Sequence, residues 1–265
     1  MLGHPLFDAA AVLGSSADPG GPGWVLLVVA LLQVWSYPLH DPVMMDRGFI
    51  ADRDRTRRSF MHAFWISALC ILAFGLLGVF AGLHANTGEE LVATLSRLLG
   101  TPAAIALGTV LIVSAASTLD STLASAAKLV VRDMALVPAS ANNGRAAMAL
   151  FCGAGVALVF VGPDDLFAAV AVSGTAALFL APVIVFCIWG GRRVARASLA
   201  VAVAAALLGA TLYFLETAGH SELLATLTGR GHKYEQLLVV TTAVLAVGFT
   251  AFAAGLQRAP GLARR

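Results

Sequence analysis

Ser114, Ser117, Thr118, Asp120 and Ser121 sit in the middle of an apolar run long enough to cross a bilayer. The run extends from about Ala103 to Val131 with its midpoint at Ser117, so these side chains fall near the bilayer midplane. Polar and ionisable groups at that depth are costly and mark ion or solute paths. On a helix, Ser114, Ser117 and Ser121 recur at i, i+3 and i+7 and share one face, with Thr118 beside them. Hard oxygen ligands on one face suit a small cation. A plainer reading stands beside this one: each hydroxyl bonds back to the i−4 carbonyl and packs helices together. Asp120 likewise has two readings, a structural carboxylate satisfied by neighbouring hydroxyls and, together with Ser121, a group used in coupling or gating.

A second set of polar residues lies in WSYPLHDPVMMDRG, where Pro38 and Pro42 bracket His40 and Asp41. Each proline removes a backbone donor and disfavours helix in the residue before it. Non-helical backbone at membrane depth survives where it lines a cavity or is buried in protein, so a helix broken here would present freed carbonyls, Tyr37, His40 and Asp41 to a solute. The alternatives are a helix that ends at Tyr37 and polar groups satisfied by interfacial water. Trp35 and Tyr37 serve either to stack on a solute and seal its cavity or as interfacial anchors.

These residues have to be positioned by an all-α membrane protein. Hydrophobic residues make up 59% of the chain and charged residues 12%, with a mean hydropathy of +0.86, far from the balance of a soluble domain. The net charge of +2 is too small to point to nucleic acid. Cys70, Cys152 and Cys187 lie in apolar runs without metal-ligand spacing and read as packing residues. Seven apolar segments predict about seven transmembrane helices: Trp24 to about Met45, Phe60 to Leu83, Ala103 to Val131, Ala146 to Val161, Phe167 to Trp189, Ser198 to Leu215 and Leu237 to Leu256. Glu89 to Leu99 has apolar residues at helical spacing with charges opposite and predicts a short interfacial helix, in the place of an external lid.

Charge sets the expected orientation. Of the 17 lysines and arginines, all but Arg97, Arg230 and Lys233 fall on one side of a seven-span threading. The positive-inside rule then puts the N-terminus outside and the C-terminus in the cytoplasm of a cell's inner membrane, with Glu89, Glu90, Asp164 and Asp165 facing out. Residues 1–22 are expected to form a flexible extracytoplasmic segment without an ordinary signal peptide, because they lack a basic stretch ahead of an apolar core.

With these residues in view, the chain resembles the C-terminal part of the sodium:solute symporters, the family of sodium-coupled proline, pantothenate and sugar transporters. DPVMMDRGFIADRDRTRR resembles the stretch that leads from that family's discontinuous sixth core helix into a cytoplasmic loop. SAASTLDSTLASAAKLVVRD is similar to its eighth core helix, with Asp133 fifteen residues after Thr118, and AVSGTAALFLAPVIVFCIWGGRR to its tenth. The resemblance covers roughly Leu31 to Arg193, and the last two spans follow it only by hydropathy.

What the resemblance implies is a LeuT-like fold: residues 23–193 as the second inverted repeat, core helices six to ten with a discontinuous first helix, and residues 194–265 as two peripheral helices and a short cytoplasmic tail. Ser117 and Thr118 match the side-chain ligands of the family's sodium site, and Ser114 the position that offers a backbone carbonyl. Sodium is then the coupling ion, a small organic solute the cargo, and no other cofactor is expected. No covalent chemistry is implied, so the chain is not expected to be an enzyme. The first repeat, which supplies the remaining sodium-ligating carbonyls, is not matched, so the missing half of the transporter is an expected partner. The alternative is a non-transporting sensor or assembly module, or an inactive fragment of a symporter. A membrane metal enzyme would need a His/Asp/Glu cluster at one depth, for which only His40, Asp41 and Asp46 come near one another in sequence.

Overall fold

A chain in hydrocarbon must satisfy its peptide groups internally, and the apolar runs of this sequence do so as helices. The computed structural model describes residues 23–48, 50–86, 88–89, 91–162 and 166–257. In chain order the elements are α1 (Gly23–Val34), α2 (Tyr37–His40), α3 (Pro42–Gly48), α4 (Arg53–His84), α5 (Leu91–Leu99) and α6 (Thr101–Lys128), which runs on as π-helical turns over Leu129–Asp133. There follow α7 (Ala141–Val161), α8 (Leu166–Ala177), α9 (Leu180–Pro182) with π-helical turns over Val183–Trp189, β1 (Arg193–Val194), α10 (Arg196–Thr217), α11 (Leu223–Thr228), α12 (Lys233–Ala254) and β2 (Leu256–Gln257). They divide into two units, one of Pro42–Ala154 and one that joins the chain up to Asp41 with Gly155 onward. The expected N-terminal segment 1–22, Glu90, Asp164, Asp165 and the tail from Arg258 lie outside the described residues.

Among the described residues, five helices are long and apolar enough to cross a membrane: α4, α6 with its π turns, α7, α10 and α12. A sixth span is possible as the pair Phe167–Ala177 and Leu180–Trp189, bent by 43°. By this measure the chain is a membrane protein with five to six long apolar helices, against the seven apolar segments of the sequence. The difference lies in the first segment and in that bent pair. In the first segment α1 is only 12 residues long and stops at Val34, short of the roughly 20 residues a span requires.

Caps explain where the observed helices depart from the apolar runs. In the first unit, α4 begins at Arg53, ahead of the apolar run, because the Asp52 carboxylate accepts the Arg55 amide at 3.0 Å. The cluster Arg53, Arg55, Arg57 and Arg58 therefore forms the opening turns of a 32-residue helix about 48 Å long, longer than a hydrocarbon core of about 30 Å. Similarly, Ser140 accepts the Asn143 amide at 3.2 Å, so α7 starts at Ala141 and reaches 21 residues where hydropathy alone marks a short segment. Between α5 and α6 the chain turns at Gly100, whose φ of +79° is a conformation that favours glycine.

In the second unit, α10 and α12 pack through small residues. Ala202, Ala206, Gly209 and Ala210 of α10 are buried opposite a face of α12 that includes Val240, Val244 and Gly248. Such residues let backbones approach where lipid supplies no hydrophobic drive between helices. The core continues through Val25 and Val29 of α1, Ala171 of α8, and Leu178. The bend after α8 falls four residues before Pro182, whose ring has no N–H to offer the Leu178 carbonyl; the Ala181 amide bonds that carbonyl instead, at 3.1 Å. β1 and β2 pair antiparallel, Arg193 with Gln257 and Val194 with Leu256, and join the end of α12 to the stretch before α10.

Hydropathy does not show α11, which exists because Glu216 holds it. Its carboxylate accepts the amides of Leu224 and Ala225, both at 2.9 Å.

A Cβ added to Gly209 would lie 2.7 Å from Val244 Cγ2 and 3.0 Å from Val240 Cγ1. Gly209→Leu should therefore lower the stability of the chain in detergent by about 1–3 kcal/mol, read from the midpoint of SDS-induced unfolding. Gly108→Ala, where nothing lies within 4 Å, should leave that midpoint unchanged or raise it. Equal midpoints for wild type and Gly209→Leu would contradict the α10–α12 packing.

Candidate functional site

Thr101 to Lys128 contains Gly108 and a series of β-branched and hydroxyl residues, yet it forms one unbroken α6. The hydroxyls take part in the helix. Thr118 Oγ1 donates to the Ser114 carbonyl at 3.0 Å, Ser121 Oγ to the Ser117 carbonyl at 3.1 Å, and Thr122 Oγ1 to the Thr118 carbonyl at 2.8 Å. About two and a half turns before Thr118, Thr109 Oγ1 donates to the Ile105 carbonyl at 2.8 Å. The plainer reading therefore describes the geometry of the Thr118 and Ser121 hydroxyls within the helix.

Back-bonding does not remove the oxygens from coordination chemistry. A hydroxyl whose proton goes to the carbonyl one turn away keeps its lone pairs directed outward, which is what a cation needs from it. Ser114, Ser117 and Thr118 line one open groove of about 490 Å³ with Thr109, Val110 and Val113. All three expected sodium ligands thus meet on one side of α6. The Ser114 carbonyl, the expected backbone ligand, already accepts the Thr118 proton and has one lone pair left to offer. Asp120 is exposed on the same stretch of α6, and Ser121 is half-buried. One helix cannot close a coordination shell, so the remaining oxygens have to come from another segment or from water.

The expected solute-binding residues lie in the other unit. α1 stops at Val34, α2 begins at Tyr37, and Asp41 is extended, with φ −67° and ψ 118°. The Asp41 amide donates to the Tyr37 carbonyl at 2.9 Å and closes the short α2 turn. Tyr37 keeps half of its surface exposed. Trp35 packs on Trp189 with ring centroids 6.2 Å apart, so its partner here is another ring. The side chain of His40 lies outside the described residues.

A buried polar contact went unread in the sequence. Gln33 Nε2 donates to Thr175 Oγ1 at 3.0 Å and to Thr241 Oγ1 at 3.1 Å, and both threonines are fully buried. One amide thereby links α1, α8 and α12. Gly174 makes the approach possible, since a Cβ there would lie 2.8 Å from Gln33 Oε1. The signal was a lone amide in the apolar run VLLVVALLQV, because such an amide in a span usually bonds across helices.

The expected lid helix has its own electrostatics. Arg97 on α5 donates to both carboxylate oxygens of Glu89, at 3.0 and 2.8 Å, and to the His84 carbonyl at 2.8 Å. Glu89 also accepts the Asn86 amide at 3.0 Å. Here Glu89 is held in a turn ahead of the helix, and α5 starts at Leu91. The Arg97 hydrogen bond, then that from Asn86, lowers the Glu89 carboxyl from 4.5 to about 2.

Among the described residues no three of His, Cys, Asp and Glu lie close enough to hold a metal ion. No protein-family model matches the sequence, and neither the curated proteins nor the solved structures give a match.

Because folding lowers the Glu89 pKa, its stabilising contribution is present above the ordinary carboxylate range and is lost as pH falls from 4.5 towards about 2. Hydrogen exchange at the Asn86 amide, corrected for its intrinsic rate, should accelerate across that interval. In Glu89→Gln it should already be fast at neutral pH and show no such step. A pH-independent protection in the wild type would contradict this latch of Arg97, Glu89 and Asn86 beside α5.

Proposed function

We propose that the chain works in sodium-coupled transport of a small organic solute across the cytoplasmic membrane, as the part of a sodium:solute symporter that resembles core helices six to ten. The observation that carries the reading is the groove on α6, where Ser114, Ser117 and Thr118 present neutral oxygens on one side of a helix long enough to span a membrane. Sodium suits such ligands because it is a hard cation with no demand for anionic or nitrogen donors. In this reading the ion binds with Thr118 Oγ1 and Ser117 Oγ as side-chain ligands and the Ser114 carbonyl as a third. The other ligands come from the first repeat of the transporter, carried by a partner segment.

The solute is assigned to the broken region around Tyr37, His40 and Asp41, where α1 stops at Val34 and the short α2 ends at an extended Asp41. Sodium and solute then raise one another's affinity by the same factor, since coupling between two sites is reciprocal. Asp120 and Ser121, just beyond the ligands on α6, are assigned to coupling or gating. The positive-inside bias supports an orientation with the α4 arginines and Lys128 in the cytoplasm and the α5 latch outside.

Sodium-dependent uptake in vesicles that contain the chain together with the segment supplying the first repeat tests the reading, with a panel of amino acids, sugars and carboxylates. Thr118→Ala should raise the sodium concentration for half-maximal uptake about tenfold, the loss of one ligand worth about 1.4 kcal/mol. Unchanged sodium dependence would remove Thr118 from the site. Correct insertion without uptake of any solute would favour a non-transporting sensor or assembly role.

A further inference from the structure

Where α6 ends, the chain builds a cavity that the transport reading does not use. The helix gives way to π-helical turns at Leu129–Asp133, with the Met134 amide bonded to the Leu129 carbonyl at 2.8 Å. Ala135 then takes a left-handed conformation, φ +48°, and turns the chain towards α7. A cavity of about 520 Å³ lies between these turns and the start of α7. Ala127 and Val131, both buried, give it an apolar wall. Lys128, Arg132 and Ser140 give it polar groups. A second cavity of about 520 Å³ shares Val131, Arg132 and Ala139 with the first and continues along Leu136, Val137 and Pro138 as an apolar trough.

We propose that this composite cavity binds the headgroup of an anionic phospholipid, with Lys128 and Arg132 on the phosphodiester and the trough on the glycerol and first methylenes. The guanidinium suits a phosphate by geometry and the ammonium as a point charge. A free phosphate would need only the basic part. The joined apolar trough at the end of a long apolar helix instead fits an amphiphile lying at headgroup depth, and the exposed side chains of Met134 and Leu136 on the same loop fit that depth too. The proposal rests on the membrane reading and the side chosen by the positive-inside bias, and is independent of sodium transport.

The test is electron spin resonance of the full chain in vesicles carrying spin-labelled phosphatidylglycerol or phosphatidylcholine, with inorganic phosphate as competitor. The wild type should hold motionally restricted phosphatidylglycerol in preference to phosphatidylcholine. In Lys128→Gln with Arg132→Gln that preference should fall at least about threefold, given the attraction each cation adds near an anionic surface. Arg57→Gln with Arg58→Gln, which changes basic residues away from the cavity, should leave it intact, and Lys128→Arg with Arg132→Lys should retain it. An equal fall in both glutamine pairs would overturn the site in favour of general surface charge. Loss of the preference at millimolar phosphate would assign the cavity to a soluble anion. Absence of any restricted lipid would overturn the membrane reading and the site with it, whatever the outcome of the uptake assays.

Discussion

A peptide group in hydrocarbon finds no water, and an unsatisfied N–H or C=O there costs several kcal/mol, so every departure from helix in this chain has to be made good locally. The structure meets that demand in three ways. Hydroxyls in α6 turn their protons back onto carbonyls of their own helix. The ends of α6 and of the α8–α9 pair widen into π turns, closed by the Met134 amide on the Leu129 carbonyl and the Gly190 amide on the Val185 carbonyl. Around the Pro38–Pro42 break, the Asp41 amide closes on Tyr37, and Gln33, two turns of chain earlier, fastens α1 to α8 and α12.

Seen this way, the two units solve different problems. In the second, small residues on α10 and α12 bring backbones together, and Gln33 bonds Thr175 and Thr241 across helices. In the first, α4 and α6 present large apolar side chains outward, among them Trp65 and Ile112, which are two-thirds exposed or more. Lipid covers such surfaces at no cost. The hydroxyl face of α6 is different, because oxygen lone pairs aimed into acyl chains gain nothing from lipid. That contrast within one helix is the physical basis for assigning the face to an ion and its water.

How much of this the sequence foretold depends on whether the signal was local. Long apolar runs announced the helices α4, α6, α7, α10 and α12, since hydropathy and helix share one cause in a bilayer. Their ends were misplaced where a single polar residue decided them: Asp52 extended α4 backwards through the arginines, and Ser140 lengthened α7. α11 depends on Glu216, one helix away, and has no periodicity of its own to read. The hydroxyl spacing of Ser114, Ser117 and Thr118 was legible because it needs only one helix. The Gln33 contact was not, because its partners Thr175 and Thr241 are 142 and 208 residues distant.

Whether the α6 face meets water and sodium is the claim on which the account depends. The most direct measurement replaces Cys70, Cys152 and Cys187 by serine, places one cysteine at Val113, which lines the groove without being a proposed ligand, or at Ile112, and follows labelling by a membrane-impermeant thiol reagent, with sodium or potassium outside, in membrane vesicles that also carry the segment supplying the first repeat. The account predicts labelling at position 113 that sodium slows and potassium does not, and none at position 112. Equal inertness at both positions, or labelling at 113 indifferent to the cation, would contradict it.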